Sequence, residues 1–121
     1  MKTEPNKYTP YFQWIRRHPS SGYLVGLTDT AQQLLGEIVY VELPNVGERL
    51  VKDQPCGCVE SRKSVVDILA PCSGEVIAIN PKLQGAPQLI NHSAEQQGWL
   101  FILQLTQPEE WQSLLTTAPV I

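Results

Sequence analysis

The side chains able to do chemistry are few. Lys63 stands between two apolar, β-branched stretches on the polar turn Ser61-Arg62-Lys63-Ser64. A turn tip holds a lysine away from the core, where another protein can reach it. An amine that is exposed and free of an ion pair can be acylated, and its carbon stem then becomes the base of a flexible arm. On spacing alone, an ordinary solvated hairpin lysine is the simpler reading. Cys56 and Cys58 would face the same side of a strand, but their spacing is tighter than that of the cysteine pairs that usually hold zinc. Cys72 follows Pro71 at a turn and reads as a small core hydrophobe. An odd number of cysteines argues against a disulfide framework and for free thiols without metal. A thiol oxidoreductase would rest on Cys56 and Cys58 alone. His18 and His92 lie in turn or loop contexts with no Ser or Cys partner visible, so a hydrolase triad is unsupported.

The elements that must position Lys63 are mostly strands. Tyr11 to Ile15 is aromatic and β-branched, His18-Pro19-Ser20-Ser21-Gly22 is a turn, and Tyr23 to Leu27 returns. One short helix follows, capped by Thr28 or Asp29 and stopped by Gly36. Ile38 to Leu43 is apolar enough to suggest a strand buried on both faces. Pro44 to Gly47 turns, and Gly57 to Ser61 leads into the lysine turn, from which Val65 to Leu69 returns. A turn at Pro71 to Gly74 feeds a strand over 75–80. A loop containing Pro81, Gly85 and Pro87 follows, then a strand from Trp99 to Leu105. Pro108 opens a C-terminal helix through Leu115, with Glu109 and Glu110 near its positive end. Many short strands at close spacing predict a mainly β chain, folded as a sandwich or barrel-like unit.

The 121 residues suggest one domain, 1–121, able to bury a core without a disulfide or metal. Hydrophobic residues make up 42% and charged residues 17%, which are globular values. The formal net charge of -3 disfavours nucleic acid as a partner. No apolar run is long enough to span a membrane. The start, Met1 to Lys7, lacks the apolar core of a signal peptide, so a cytoplasmic protein is expected.

Three separated segments resemble the glycine cleavage H-protein family. The first runs Gly26-Leu27-Thr28-Asp29-Thr30-Ala31-Gln32 and on through Leu35-Gly36-Glu37-Ile38 to Pro44. The second is Val59-Glu60-Ser61-Arg62-Lys63-Ser64, followed by Asp67-Ile68 and Pro71-Cys72-Ser73-Gly74-Glu75-Val76. The third is Leu89-Ile90-Asn91, then Gly98-Trp99-Leu100. The resemblance extends in order from about Lys7 to Leu115.

The resemblance implies a lipoyl-type (barrel-sandwich hybrid) β-sandwich with short flanking helices. It implies lipoic acid in amide linkage to Lys63, with Glu60, Ser61, Arg62 and Ser64 around the attachment point and Asp67 and Gln13 toward the cleft that shelters the arm. Asp67 reads equally as a solvent-facing strand acid. The implied partners are glycine decarboxylase, aminomethyltransferase, dihydrolipoamide dehydrogenase, and a lipoate ligase or lipoyl transferase. The carrier itself would be non-catalytic, because the cofactor carries the chemistry.

Phe12-Gln13-Trp14 departs from the family's His-Glu-Trp, so a neutral amide replaces a carboxylate that can pair with the aminomethyl cation. Arg62 stands where the family prefers a small apolar residue, and a second cation there should favour the neutral lysine amine. His92 to Gln97 also lacks the family's Pro-Tyr pair before Gly98-Trp99. These departures keep open a lipoyl relay, an H-like protein passing lipoyl groups to other acceptors. A biotin carrier fits less well, since biotin hairpins usually set Met on both sides of the lysine.

Overall fold

The structure is a computed structural model that describes residues 5–120. Among these residues, nine strands form two antiparallel sheets. The larger takes the order β1-β2-β3-β9-β8-β5, from β1 (Lys7–Tyr8), β2 (Gln13–Arg17), β3 (Tyr23–Leu27), β9 (Phe101–Leu105), β8 (Gly74–Ile79) and β5 (Arg49–Leu50). The smaller takes the order β4-β6-β7, from β4 (Ile38–Glu42), β6 (Pro55–Ser61) and β7 (Val65–Leu69). Alternation sets the inward faces. Ile15, Val25, Phe101 and Leu103 from the large sheet meet Ile38, Val59 and Ile68 from the small one in a single core. This is the lipoyl-type sandwich expected.

Helix α1 (Asp29–Leu35) bridges the sheets. The Thr28 hydroxyl accepts from the Ala31 amide at 3.2 Å, and Gly36 ends the helix with φ at 77°, a conformation that favours glycine. Ala31 and Leu35 point into the core.

Several expectations needed correction. Tyr11 and Phe12 do not begin the strand: Phe12 has φ at 64°, so β2 starts at Gln13. Strand β4 is not buried on both faces, since it is an edge strand with a register shift between Ile38 and Tyr40, and Tyr40 stays 51% exposed. The segment after Pro81 is not irregular throughout. It holds α2 (Lys82–Gly85) and α3 (Leu89–Ser93), anchored by the buried Leu83 and Ile90. At the C-terminal end, Pro108–Ser113 forms a 3₁₀ turn rather than a helix through Leu115, because Leu115 exchanges two backbone hydrogen bonds with Tyr8. Glu110 does not serve a helix dipole there, but accepts from the Ser73 amide at 2.6 Å.

Candidate functional site

The turn between β6 and β7 is organised by Ser61. Its Oγ accepts from the amides of Lys63 and Ser64, both at 3.1 Å, and the Ser61 amide donates to the Ser64 carbonyl at 2.8 Å. A hydroxyl that satisfies two successive amides fixes a tight turn without help from solvent. Ser61 is buried, whereas Glu60, Arg62, Lys63 and Ser64 are exposed. Arg62 tethers the turn to the start of β4. Its amide donates to the Glu37 carbonyl at 3.1 Å, and its Nε pairs with the Glu37 carboxylate at 2.8 Å. Its guanidinium is thus engaged by Glu37.

The Lys63 side chain folds over the end of α1. A Cβ at residue 36 would lie 3.0 Å from Lys63 Cε and 3.6 Å from its Nζ, so glycine there leaves room for the lysine stem. Among the described residues, the Lys63 ammonium has no hydrogen bond or ion pair. Asn91 secures the ground beneath it. Its Nδ2 donates to the Gly36 carbonyl at 2.8 Å and to Gln32 Oε1 at 3.1 Å, and its Oδ1 accepts from the Ile38 amide at 2.9 Å.

On one side of α1 lies a cavity of about 180 Å³, walled by Phe12, Gln13, Leu34, Leu35, Val66 and Asp67. The structure therefore brings Gln13 and Asp67 to one cavity. Gln13, however, is 1% exposed, and its amide is committed to β7: Nε2 donates to the Leu69 carbonyl at 2.6 Å, and Oε1 accepts from the Leu69 amide at 3.0 Å. It clasps the large sheet to the small one. Asp67 keeps an exposed carboxylate.

The thiols are poorly suited to redox work. The register shift between Pro55 and Gly57 makes Cys56 the extra residue of a bulge. Cys56 consequently packs against the core, while Cys58 donates weakly to Glu42 on the open face, so the two do not share a side as strand alternation predicted. Desolvation pushes the Cys56 and Cys72 thiols up to about 12, with Glu48 and Glu110 respectively adding to the effect. Partial desolvation and then Glu42 raise Cys58 as well. Nucleophilic thiolates are scarce in such surroundings. No helix among the described residues is long and apolar enough to cross a membrane.

The family model for the glycine cleavage H-protein matches residues 6–120. The chain belongs to that family. A glycine cleavage system H protein of Shewanella baltica is 44% identical over 109 residues, covering 90% of this chain and 84% of the relative. One from Shewanella frigidimarina is 43% identical over the same share of each. The crystal structure of a glycine cleavage system H protein from Mycobacterium marinum superposes with a TM-score of 0.78 at 32% identity, covering 93% of this chain and 98% of that one. Membership gives the lysine turn its context. Gly36 and Asn91, both inside segments that carried the resemblance, lie beneath the Lys63 side chain, Gly36 next to its stem and Asn91 holding the Gly36 carbonyl. That arrangement was not visible in the sequence, because its contacts join positions far apart in the chain.

Proposed function

We propose that this H-protein family member is a non-catalytic lipoyl carrier of glycine cleavage, with lipoic acid in amide linkage to Lys63. The observation that carries the reading is the presentation of Lys63: an amine with no partner among the described residues, on a turn locked by Ser61 and tethered by Arg62 to Glu37. The surroundings fit an acylated lysine, since Gly36 leaves space beside Cε and Nζ. Exposure of the turn admits a lipoate ligase or lipoyl transferase. The amine attacks an activated lipoate carboxyl, the amide bond forms, the activating group leaves, and the amine proton is released to solvent.

When bound, the lipoyl group would supply a dithiolane sulfur that carries the aminomethyl group once the ring's S–S bond has opened. This chain's residues hold the arm's base still, expose it to glycine decarboxylase, aminomethyltransferase and dihydrolipoamide dehydrogenase in turn, and offer Asp67 as a nearby carboxylate. The setting is the cytoplasm. The departures at Gln13 and Arg62 require no separate relay role, because each has a structural partner, Leu69 and Glu37.

The test is incubation of the purified protein with lipoate ligase, lipoate and ATP, followed by peptide mass spectrometry. One lipoyl increment on Lys63 is expected, and none in Lys63→Arg. Modification persisting in that variant would falsify the assignment.

A further inference from the structure

Two sheets have four edges, and three of them are short or closed among the described residues. Strand β1 exchanges two backbone hydrogen bonds with Leu115 through Tyr8, β7 is capped at Leu69 by Gln13, and β5 is two residues long. The edge of β4 differs. It forms one wall of a groove of about 270 Å³, and the facing wall is the end of β8 with α2, including Ile79 and Leu83. We propose that this groove takes an extended peptide segment of a partner protein, alternating apolar and basic residues, which adds a strand to β4.

The backbone supplies the first observation. In an antiparallel strand the N–H and C=O of one residue point to the same side, and the side alternates along the chain. The Glu42 carbonyl oxygen lies against Gly57 of β6, where an added Cβ would collide with it. The backbone groups of Val41 and Leu43 therefore face away from β6, toward the groove. Among the described residues, no hydrogen bond from a loop or side chain takes them. At the other end of the same edge, Asn91 does take the Ile38 amide. An open strand edge recruits an extended chain by strand addition. The wall formed by α2 keeps the folded edge of a second copy out, whereas a single extended segment can enter.

The side chains define the occupant. Tyr40 and Glu42 are exposed on one face of β4, while Val41 packs against the core. An added strand alternates in the same way. Its inward residues meet Ile79 and Leu83, so they must be apolar. Its outward residues lie beside Tyr40 and Glu42. Glu42 is the one charged side chain that lines the groove. It has no ion pair among the described residues and receives only a weak thiol contact, from Cys58 at 3.8 Å. Opposite charges on neighbouring strands stabilise their pairing, and a cation also suits the Tyr40 ring. The outward residues are therefore basic. The groove lies at the end of β4 away from the lysine turn, since Ile38 pairs with Ser61 but Glu42 with Cys58. A partner held there leaves Lys63 open, and the inference does not depend on what Lys63 carries.

The experiment titrates the whole ¹⁵N-labelled protein with the end-blocked peptide Val-Lys-Val-Lys-Val, up to millimolar concentration, and follows amide hydrogen exchange by NMR. Exchange at Val41 and Leu43 should slow several-fold, with the amides of β1 and β7 unchanged. The acidic peptide Val-Glu-Val-Glu-Val should have no effect. Glu42→Lys, at an exposed position, should exchange the two preferences. N-methylation of alternate peptide residues separates strand addition from charge attraction without altering the protein. One set of alternate positions faces β4 and the other faces away, so one methylated peptide should protect and the other should not. No slowing with either parent peptide, equal slowing with both, or protection that survives both methylation patterns would overturn the proposal. So would slowing at Val41 and Leu43 that rises with protein concentration in the absence of peptide, which would assign the edge to a second copy.

Discussion

Gln13 satisfies both backbone groups of Leu69 from across the sandwich, accepting from its amide and donating to its carbonyl. A carboxylate can do only the first. In Gln13→Glu, a charged side chain would meet the Leu69 carbonyl in a position that is 1% exposed. Only the protonated acid could restore the donor, so its folded pKa must lie above the unfolded value. The stability it contributes is present below the unfolded pKa, about 4.3, and is lost as pH rises through the raised folded value. We expect Gln13→Glu to be less stable than the parent at neutral pH by about 1–3 kcal/mol. Urea denaturation at pH 7 and at pH 4 checks this, and the gap should narrow at the lower pH. The family resemblance implied that position 13 lies toward the arm's cleft; the structure sets it in the wall of a cavity beside Asp67. What the sequence hid was the partner, a backbone unit distant in the chain. Lys63 was singled out only because its turn matched a family hairpin; spacing gave a solvated lysine.

Among the elements, β3, β7 and α1 were legible to the residue or nearly so, because alternation and capping are local signals. Helices α2 and α3 were not. They are four and five residues long, lack side-chain caps, and are surrounded by Pro and Gly that read as loop. The exposure of β4 was also hidden, since apolar content cannot distinguish an edge strand from a central one. Strand β3 carries a tighter constraint at Gly26. A Cβ there would lie 2.6 Å from three atoms of the Trp14 ring. That ring cannot easily yield, because its Nε1 donates to the Ala94 carbonyl at 3.0 Å and the Arg16 guanidinium lies 4.6 Å from its centroid. Gly26→Ala should therefore cost about 1–3 kcal/mol or more through overpacking. Gly85→Ala, where a Cβ meets nothing within 4 Å, is the control and should be near neutral. Thermal unfolding of both variants measures the difference.

For the molecule as a whole, one core joins both sheets, and buried Cys72 and partly buried Cys56 belong to it. Their thiols are raised from an ordinary 9.0 to about 12. Between these values the folded chain binds more protons than the unfolded one, so stability is intact below the ordinary value and declines as pH climbs toward the raised one. The slope is at most about 1.4 kcal/mol per pH unit for each thiol. Guanidinium midpoints measured from pH 8 to pH 11 should fall, and Cys72→Ala should flatten the decline even if it lowers the starting stability. Composition and strand count conveyed the mainly β class. The strand order was hidden because β9 reaches back to lie between β3 and β8, a pairing set by long-range contacts. The anchorage of the lysine turn, by Ser61 within it and Glu37 beside it, also bears on how the protein meets its partners. If Lys63 carries the arm, as proposed, that arm starts from a fixed point and the volume it explores is set by its own length. A short flexible tether gives an effective concentration on the order of millimolar at any site within reach. Under the proposed function, a docked enzyme would experience that local concentration however scarce the carrier is, and loosening the turn would dilute it.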